Sequence, residues 1–408
     1  MQRYDTYKDS GVKWLGEIPS HWEVKRLASY FTERRVKVSD KEYEPLSVTK
    51  LGVFPQWENV AKTNDGDNRK LVKKGDFVIN SRSDRKGSSG VADRDGSVSL
   101  INIVLKPRNT IRADFSNYLL KSYKFIEEYY RNGRGIVADL WTTRYDEMKM
   151  IKLAVPPLEE QAAIANYLDT ATSKIDAAIA QQQKMIDLLN ERKQIIINRA
   201  VTRGLNPNAR MKDSGVEWIG EVPEHWKLLP YRYLFYNLDK LRMPITADQR
   251  SRNNPQYDYY GASGVIDKID YYNVDDKVLL IGEDGANLLM RNLPIIYKAE
   301  GKFWVNNHAH ILKPIRDDYD YLAYVMEAAD YTLFITGSAQ PKLSQANLNC
   351  VKLPIPPLEE QKVILDYLSK RTSKIDVAID EANNMISLLQ ERKQIIINEV
   401  VTGKVKVG

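Results

Sequence analysis

The sequence predicts an α+β protein made by internal duplication. Two similar mixed domains are joined by two long helices that pair as an antiparallel coiled coil, giving a pseudo-twofold internal repeat. Three observations lead there. The phrase "KDSGVKWLGEIPSHW" at 8–22 returns as "KDSGVEWIGEVPEHW" at 212–226, in a chain of 408 residues. A longer segment, 155–204, returns at 355–404 with 30 of 50 positions identical. Between these repeats lie two blocks, 23–154 and 227–354, nearly equal in length but with little obvious identity. Like framing around unlike content divides the chain into 1–22, 23–154, 155–204, 205–226, 227–354 and 355–408.

The repeated phrase reads as a connector. Trp14, Trp22, Trp218 and Trp226 are large apolar anchors with one polar N–H each, suited to pinning a domain onto a helical frame. The Gly, Pro and Asp residues between them suit a turn-rich chain. His21 and His225 belong to this phrase and read as structural.

Inside the first block, "KKGDFVIN" predicts a turn and a buried strand over 76–80. "VSLINIVLKP" predicts a second strand, and "DFSNYLLKSYKFIEEYY" a helix starting near Asp114. In the second block "DDKVLLIG", "FWVNNHAHILKP" and "DDYDYLAYVMEAAD" follow in the same order. Each block closes with a polar loop. The two are therefore expected to share one scaffold and differ in their loops.

In the helical segments, "PPLEEQ" puts prolines where a helix starts and acids in its first turn, where they suit the macrodipole. After Asp169, "TATSKID" offers Thr172 or Ser173 as a fresh N-cap, and Ser173 with Asp176 resembles a capping box. A restarted helix of about thirty residues, roughly 45 Å long, is expected from there. Ile175, Ile179, Ile186, Leu189 and Ile196 recur at steps of four and seven, a coiled-coil seam that Gln182 and Lys193 interrupt. Ile375, Ile379, Ala382, Ile386, Leu389 and Ile396 repeat the register. These stripes are expected to pair with each other and to form the partner-docking helices. Leu188, Ile195, Leu388 and Ile395 widen the stripe beyond what two strands bury, so helices of another subunit are expected to pack there.

Composition excludes several classes. Hydrophobic residues make up 43% and charged residues 28%, ordinary for a globular chain. No run of about 18 apolar residues occurs, and the N-terminus lacks the apolar core of a signal peptide. The single cysteine, Cys350, makes neither an internal disulfide nor a cysteine-rich zinc site. A cytoplasmic protein without membrane contact is expected. Net charge is +6, but residues 23–154 hold 26 Lys and Arg against 18 Asp and Glu, while 227–354 hold 15 of each. The first block thus suggests a polyanion-facing surface.

Enzyme motifs are missing. There is no GxxxxGK[ST] phosphate loop, and "YYGASG" leads into no GxGxxG helix. "VPPL" and "IPPL" lack the Asp or Asn and the aromatic residue that frame a double proline in amino-methyltransferases. His308 and His310 alternate along a predicted strand, and a hydrogen-bonding role suits them better than a metal site. No catalytic and no metal-binding residue is assigned.

What remains is chemistry for DNA. "SRSDRKGSSGVADRDG" at 81–96 is a basic, glycine-rich loop with Arg82, Arg85, Lys86 and Arg94, fit to bring guanidinium and N–H groups to phosphates or into a groove. Lys62, Arg69 and Lys70 precede the same strand, and Arg131, Arg134 and Arg144 follow in the closing loop. The second block's closing loop offers Gln340, Lys342, Ser344 and Gln345, with Arg250, Arg252 and Arg291 as candidate phosphate contacts. Arginine suits guanine edges and Gln or Asn suits adenine edges.

With two blocks each closed by "PPLEEQ…TSKID…ERKQIIIN…VT" and separated by "KDSGVEWIGEVPEHW", the chain resembles, over essentially its whole length, the specificity subunit of a type I restriction–modification system. The resemblance implies that each block is a target-recognition domain reading one half of an asymmetric, bipartite double-stranded DNA site. It implies that the helices space the domains and dock two methyltransferase (modification) subunits, which restriction (motor and nuclease) subunits join. No enzyme activity and no cofactor is then expected on this chain; S-adenosylmethionine, ATP and Mg belong to partner subunits. A coiled-coil scaffold without a nucleic-acid role, or a fused methyltransferase–nuclease, are the readings it competes with.

Overall fold

The computed structural model describes residues 2–56, 66–135, 141–246, 249–250, 255–337 and 340–407. Two compact units emerge: Met1–Gln183 with Asn383–Gly408, and Lys184–Ala382. Each takes its helical frame from both long helices, so the chain's last residues complete its first unit.

In the first unit, the apolar run at Phe77–Asn80 is a strand buried at all four positions. It is central in an antiparallel sheet ordered Ser89–Val91, Phe77–Asn80, Asn102–Pro107, Phe31–Glu33. Glu23–Arg26 pairs with Lys152–Val155, tying the start of the block to its end. The helix expected from Asp114 is two helices, Ala113–Lys121 and Tyr123–Arg131. Ser122 divides them because its backbone is extended and its hydroxyl accepts from the Phe125 N–H at 3.3 Å, starting the second helix afresh. Phe31, Phe77, Phe115 and Phe125 form the core with Trp22 and with Val400 and Val401 of the second long helix.

In the second unit, six strands run in the order Phe235–Asn237, Ala309–Pro314, Val274–Gly282, Ile296–Val305, Tyr257–Gly261, Gly264–Ile269. The stretch "FWVNNHAHILKP" is split between two strands that flank Val274–Gly282, with a turn at 306–308. His308 lies in that turn, not on a strand face shared with His310. His310 is buried, its ring bonded to Asp239 Oδ2 at 2.6 Å and to the Leu343 carbonyl at 2.8 Å.

The long helices run Leu158–Arg203 and Leu358–Val401, 46 and 44 residues without a break. The restart expected near Thr172 does not occur, and the thirty-residue estimate is too short. Thr172 is buried, its hydroxyl 3.3 Å from the Tyr118 hydroxyl, so it packs sideways instead of capping. Asp176 is likewise engaged across the helix pair, accepting from Lys393 Nζ at 2.6 Å. In the first unit Ile175, Ile179, Leu389 and Ile396 share the core cluster. In the second, Ile186, Ile375 and Ala382 are buried, Leu189 and Ile379 are half-buried, and Ile196 packs on the core, while Ile386, in the first unit, is half-buried. The helices pair antiparallel.

Both helices end on glycine in the left-handed region, Gly204 at φ +69° and Gly403 at φ +71°. A Cβ on Gly403 would sit 2.4 Å from the Pro19 ring, and one on Gly204 3.1 Å from the Trp226 ring. The connector phrase and the helix end are therefore packed to a fit that only glycine allows. Trp22 and Trp226 are the buried anchors, while Trp14 and Trp218 are half-buried.

Candidate nucleic-acid interface

In each unit the strand that leaves the sheet centre runs into a loop held against the closing loop. Ser81 N–H donates to the Ile101 carbonyl at 3.3 Å, Thr143 N–H to Ser81 at 3.0 Å, and Ser83 N–H to Trp141 at 3.1 Å. The second unit repeats the triplet: Glu283 to His308 at 2.8 Å, Leu343 to Glu283 at 2.9 Å, and Gly285 to Pro341 at 2.8 Å. Single β-bridges complete the match, Arg82 with Thr142 and Asp284 with Lys342. Two blocks with little sequence in common thus build one backbone device and dress it differently.

In the first unit the device brings Arg82, Arg134 and Arg144 together, because Arg134 also bridges Thr142. Arg82 is exposed, with no ion pair among the described residues. Arg85 is exposed and 3.7 Å from Asp84; Arg134 lies 3.4 Å from Glu147, whose carboxylate also accepts from Arg144 N–H at 3.2 Å. Lys86 bonds Glu127 at 2.6 Å over the Tyr130 ring, and Arg131 bonds Glu128 at 2.5 Å.

The loop expected at 81–96 is not one loop. Ser83–Arg85 is a 3₁₀ turn, and Ser89–Val91 returns antiparallel along Phe77–Asn80. Arg94 is thereby carried to the opposite end of those strands from Arg82, where it pairs with Asp93 at 3.0 Å. Arg69 is buried, bonding Ser97 Oγ at 2.8 Å and the Ser97 carbonyl at 3.0 Å, so it holds the small sheet instead of facing outward. Lys70 reaches the Asn102 carbonyl at 2.8 Å, near the Arg82 end. Lys62 and Arg252 lie outside the described residues.

In the second unit the device gathers mixed charge. Glu283 accepts from Arg242 at 2.8 Å and Lys342 at 3.3 Å. Burial alone would raise the Glu283 carboxyl, yet these two cations hold it below its ordinary value. Asp284 and His308, about two-fifths exposed, are 3.1 Å apart. Gln340 and Gln345 are exposed beside them, and Ser344 caps the short helix Gln345–Leu348 by accepting from Asn347 N–H at 3.2 Å. Arg250 and Arg291 do not join this group. Arg250 stacks on Tyr259 and pairs with Asp267 at 3.3 Å; Arg291 donates to the carbonyls of Glu327 and Ala329.

Ser83, Thr142, Arg242, Glu283, Asp284 and the placement of His308 were not readable from the sequence. The described residues contain no group of three His, Cys, Asp or Glu side chains that could hold a metal ion. No helix among them is long and apolar enough to cross a membrane.

Fold and site define a duplicated α+β protein that carries two differently dressed polar loop clusters on one repeated frame. Comparison with known proteins agrees. The family profile described as type I restriction modification DNA specificity domain matches residues 19–186 and 235–385. A chain assigned as the MjaX type I restriction enzyme specificity subunit of Methanocaldococcus jannaschii is 25% identical, covering 98% of each chain. The MjaVIII specificity subunit of the same organism is 24% identical, covering 98% of this chain and 97% of that one. In solved structures, a chain of a type I R-M system, studied for complex assembly and conformational transition, superposes with a TM-score of 0.69. It shares 14% identity and covers 95% of this chain and 99% of that one, a likeness of fold. The chain belongs to the family of type I restriction–modification DNA specificity subunits, which set specificity and are not the catalysts of those systems.

Proposed function

We propose that this subunit reads an asymmetric, bipartite DNA site, block 23–154 taking one half and block 227–354 the other. The observation that carries this reading is the repeated loop device with unlike side chains: exposed arginines in the first unit, and a neutralised mixture of Asp, Glu, His, Arg and Lys in the second. One mounting with two dressings suits a reader of two different half-sites. Arg82, Arg85, Arg134 and Arg144 supply guanine or phosphate contacts in the first domain; Gln340, Lys342 and Gln345 serve the second. The long helices space the half-sites and dock two modification subunits through their exposed apolar residues, and restriction subunits join that core.

The test is an exchange. Replacing block 23–154 with that of a relative, in a complex reconstituted with modification subunits, should change one half of the methylated site and leave the other half intact. Changes in both halves would overturn the modular reading, and a methylated site with no sequence preference would overturn the function.

A further inference from the structure

We infer that Asp284, held by His308, is a base-reading residue of the second domain, accepting a hydrogen bond from the exposed amino group of cytosine. It would do so where the first domain presents Arg82. The inference rests on the DNA-reading function proposed above and adds the chemistry that one side chain reads.

The equivalence of the two positions comes from the backbone. Three hydrogen bonds and one β-bridge place Arg82 and Asp284 at the same step of the same device. The same step thus carries a cation with five N–H donors in one unit and a carboxylate that only accepts in the other.

Three features single out Asp284 among the acids there. Glu283 is engaged by both Arg242 and Lys342, so its oxygens are committed within the domain. Asp239 is buried and committed to His310 and to the Ile311 N–H at 2.8 Å. Asp284 is 38% exposed, and its pairing with His308 fixes the carboxylate without covering it. A carboxylate gains nothing from phosphates, so on a DNA-facing surface its useful partners are base edges. In the major groove the amino donors are cytosine N4 and adenine N6, and a carboxylate suits cytosine because adenine sets the N7 acceptor beside its amino group. Arg242 and Lys342 offset the negative charge of Glu283 and Asp284 that would otherwise repel the duplex. This local neutrality matches the balanced charge of residues 227–354.

The experiment uses the full chain reconstituted with its modification subunits, and reads binding and methylation on a library randomised across both half-sites. D284A should relax discrimination at one base pair of one half-site by about tenfold or more. The other half-site and the melting temperature should not move. D284N, which keeps the side chain's shape and its contact with His308, should shift preference at that pair toward adenine, whose edge suits an amide. It carries the test if the alanine variant folds poorly. Unchanged preference at every position in D284N, or a uniform loss of affinity on all sequences, would overturn the assignment. A wild-type complex lacking any half-site preference would instead overturn the proposed function itself.

Discussion

Lys393 Nζ lies 2.6 Å from Asp176 across the helix pair, and the repeat supplies its counterpart 200 residues away, Lys193 on Asp376 at 2.6 Å. Each unit holds one of these bridges. Lys193 is one of the two residues that interrupt the apolar seam, and its interruption is a register device: the ammonium finds a carboxylate only when the antiparallel helices are aligned this way. Exposed pairs of this kind contribute about 0.5 kcal/mol. K393D should therefore cost about 1 kcal/mol by setting like charges together, and K393D with D176K should recover most of it. Denaturant melts of the single and double variants check this; no recovery in the double variant would remove the pair from register control.

Glu160 and Glu360 begin the two long helices as repeat partners but carry unequal loads. Glu160 accepts from Tyr4 at 2.6 Å, Trp22 at 3.1 Å and His21 at 2.7 Å. Glu360 meets His225 at 2.7 Å, while the buried Trp226 N–H finds no partner among the described residues. The Tyr4 hydroxyl is pushed well above its ordinary value, by burial first and then by Glu160, so it stays a donor. E160A should cost about 2–3 kcal/mol by stranding two donors, against about 1 kcal/mol for E360A. Hydrogen exchange in the connector phrases reports each latch separately, and equal losses would contradict the asymmetry.

The frame was legible because its signals are local and said twice: prolines, seam residues and tryptophans recur at fixed offsets. The helix restart at Thr172 was misread because capping chemistry and sideways packing use the same hydroxyl, and only the position of Tyr118 decides between them. At the candidate interface, Arg82 was visible as a basic residue after a strand. Arg69 looked the same in sequence yet is buried on Ser97, and Arg94 is carried to the far end by a strand reversal. Asp284 was invisible because its importance lies in matching Arg82 through backbone hydrogen bonds, which no composition reports.

Arg82 and Arg69 make a discriminating pair. R82A should weaken DNA binding by the reconstituted complex and reduce the salt dependence by about one counterion's worth, leaving stability unchanged. R69A should cost about 2 kcal/mol of stability through the lost Ser97 bonds while folded protein binds DNA as before. Salt titrations alongside thermal melts separate the two. Weaker DNA binding by folded R69A would return that residue to the interface.

Asp239 should make the second unit acid-sensitive. Burial would raise this carboxyl, but the His310 ring and the Ile311 N–H together hold it below the ordinary 3.8. A depressed folded value means the carboxylate contributes stability above pH 3.8, and that contribution is lost as pH falls through the folded value. D239N, which cannot titrate, should be less stable than wild type at pH 6 by about 1–3 kcal/mol. The gap should close as pH drops below about 4. Melting both proteins between pH 7 and pH 3 checks it, and a constant gap would show that ionisation plays no part.

Leu188, Ile195, Leu388 and Ile395 are 55%, 58%, 60% and 47% exposed, although they sit on the two most regular helices of the chain. Nothing in the folding of either unit requires their apolar character, since truncating an exposed side chain leaves no cavity. Burying each against a partner would contribute about 1.5–3 kcal/mol. If they dock modification subunits, the repeat makes two equivalent seats, and Leu188 with Ile195 belongs to one while Leu388 with Ile395 belongs to the other. L188S with I195S should therefore leave melting unchanged, weaken one seat by about a hundredfold or more, and convert a complex with two modification subunits into one with a single subunit. The reciprocal L388S with I395S should do the same, and all four together should abolish assembly. Mass measurement of the reconstituted complexes reads the stoichiometry directly; two subunits bound to the fourfold variant would place the docking surface elsewhere.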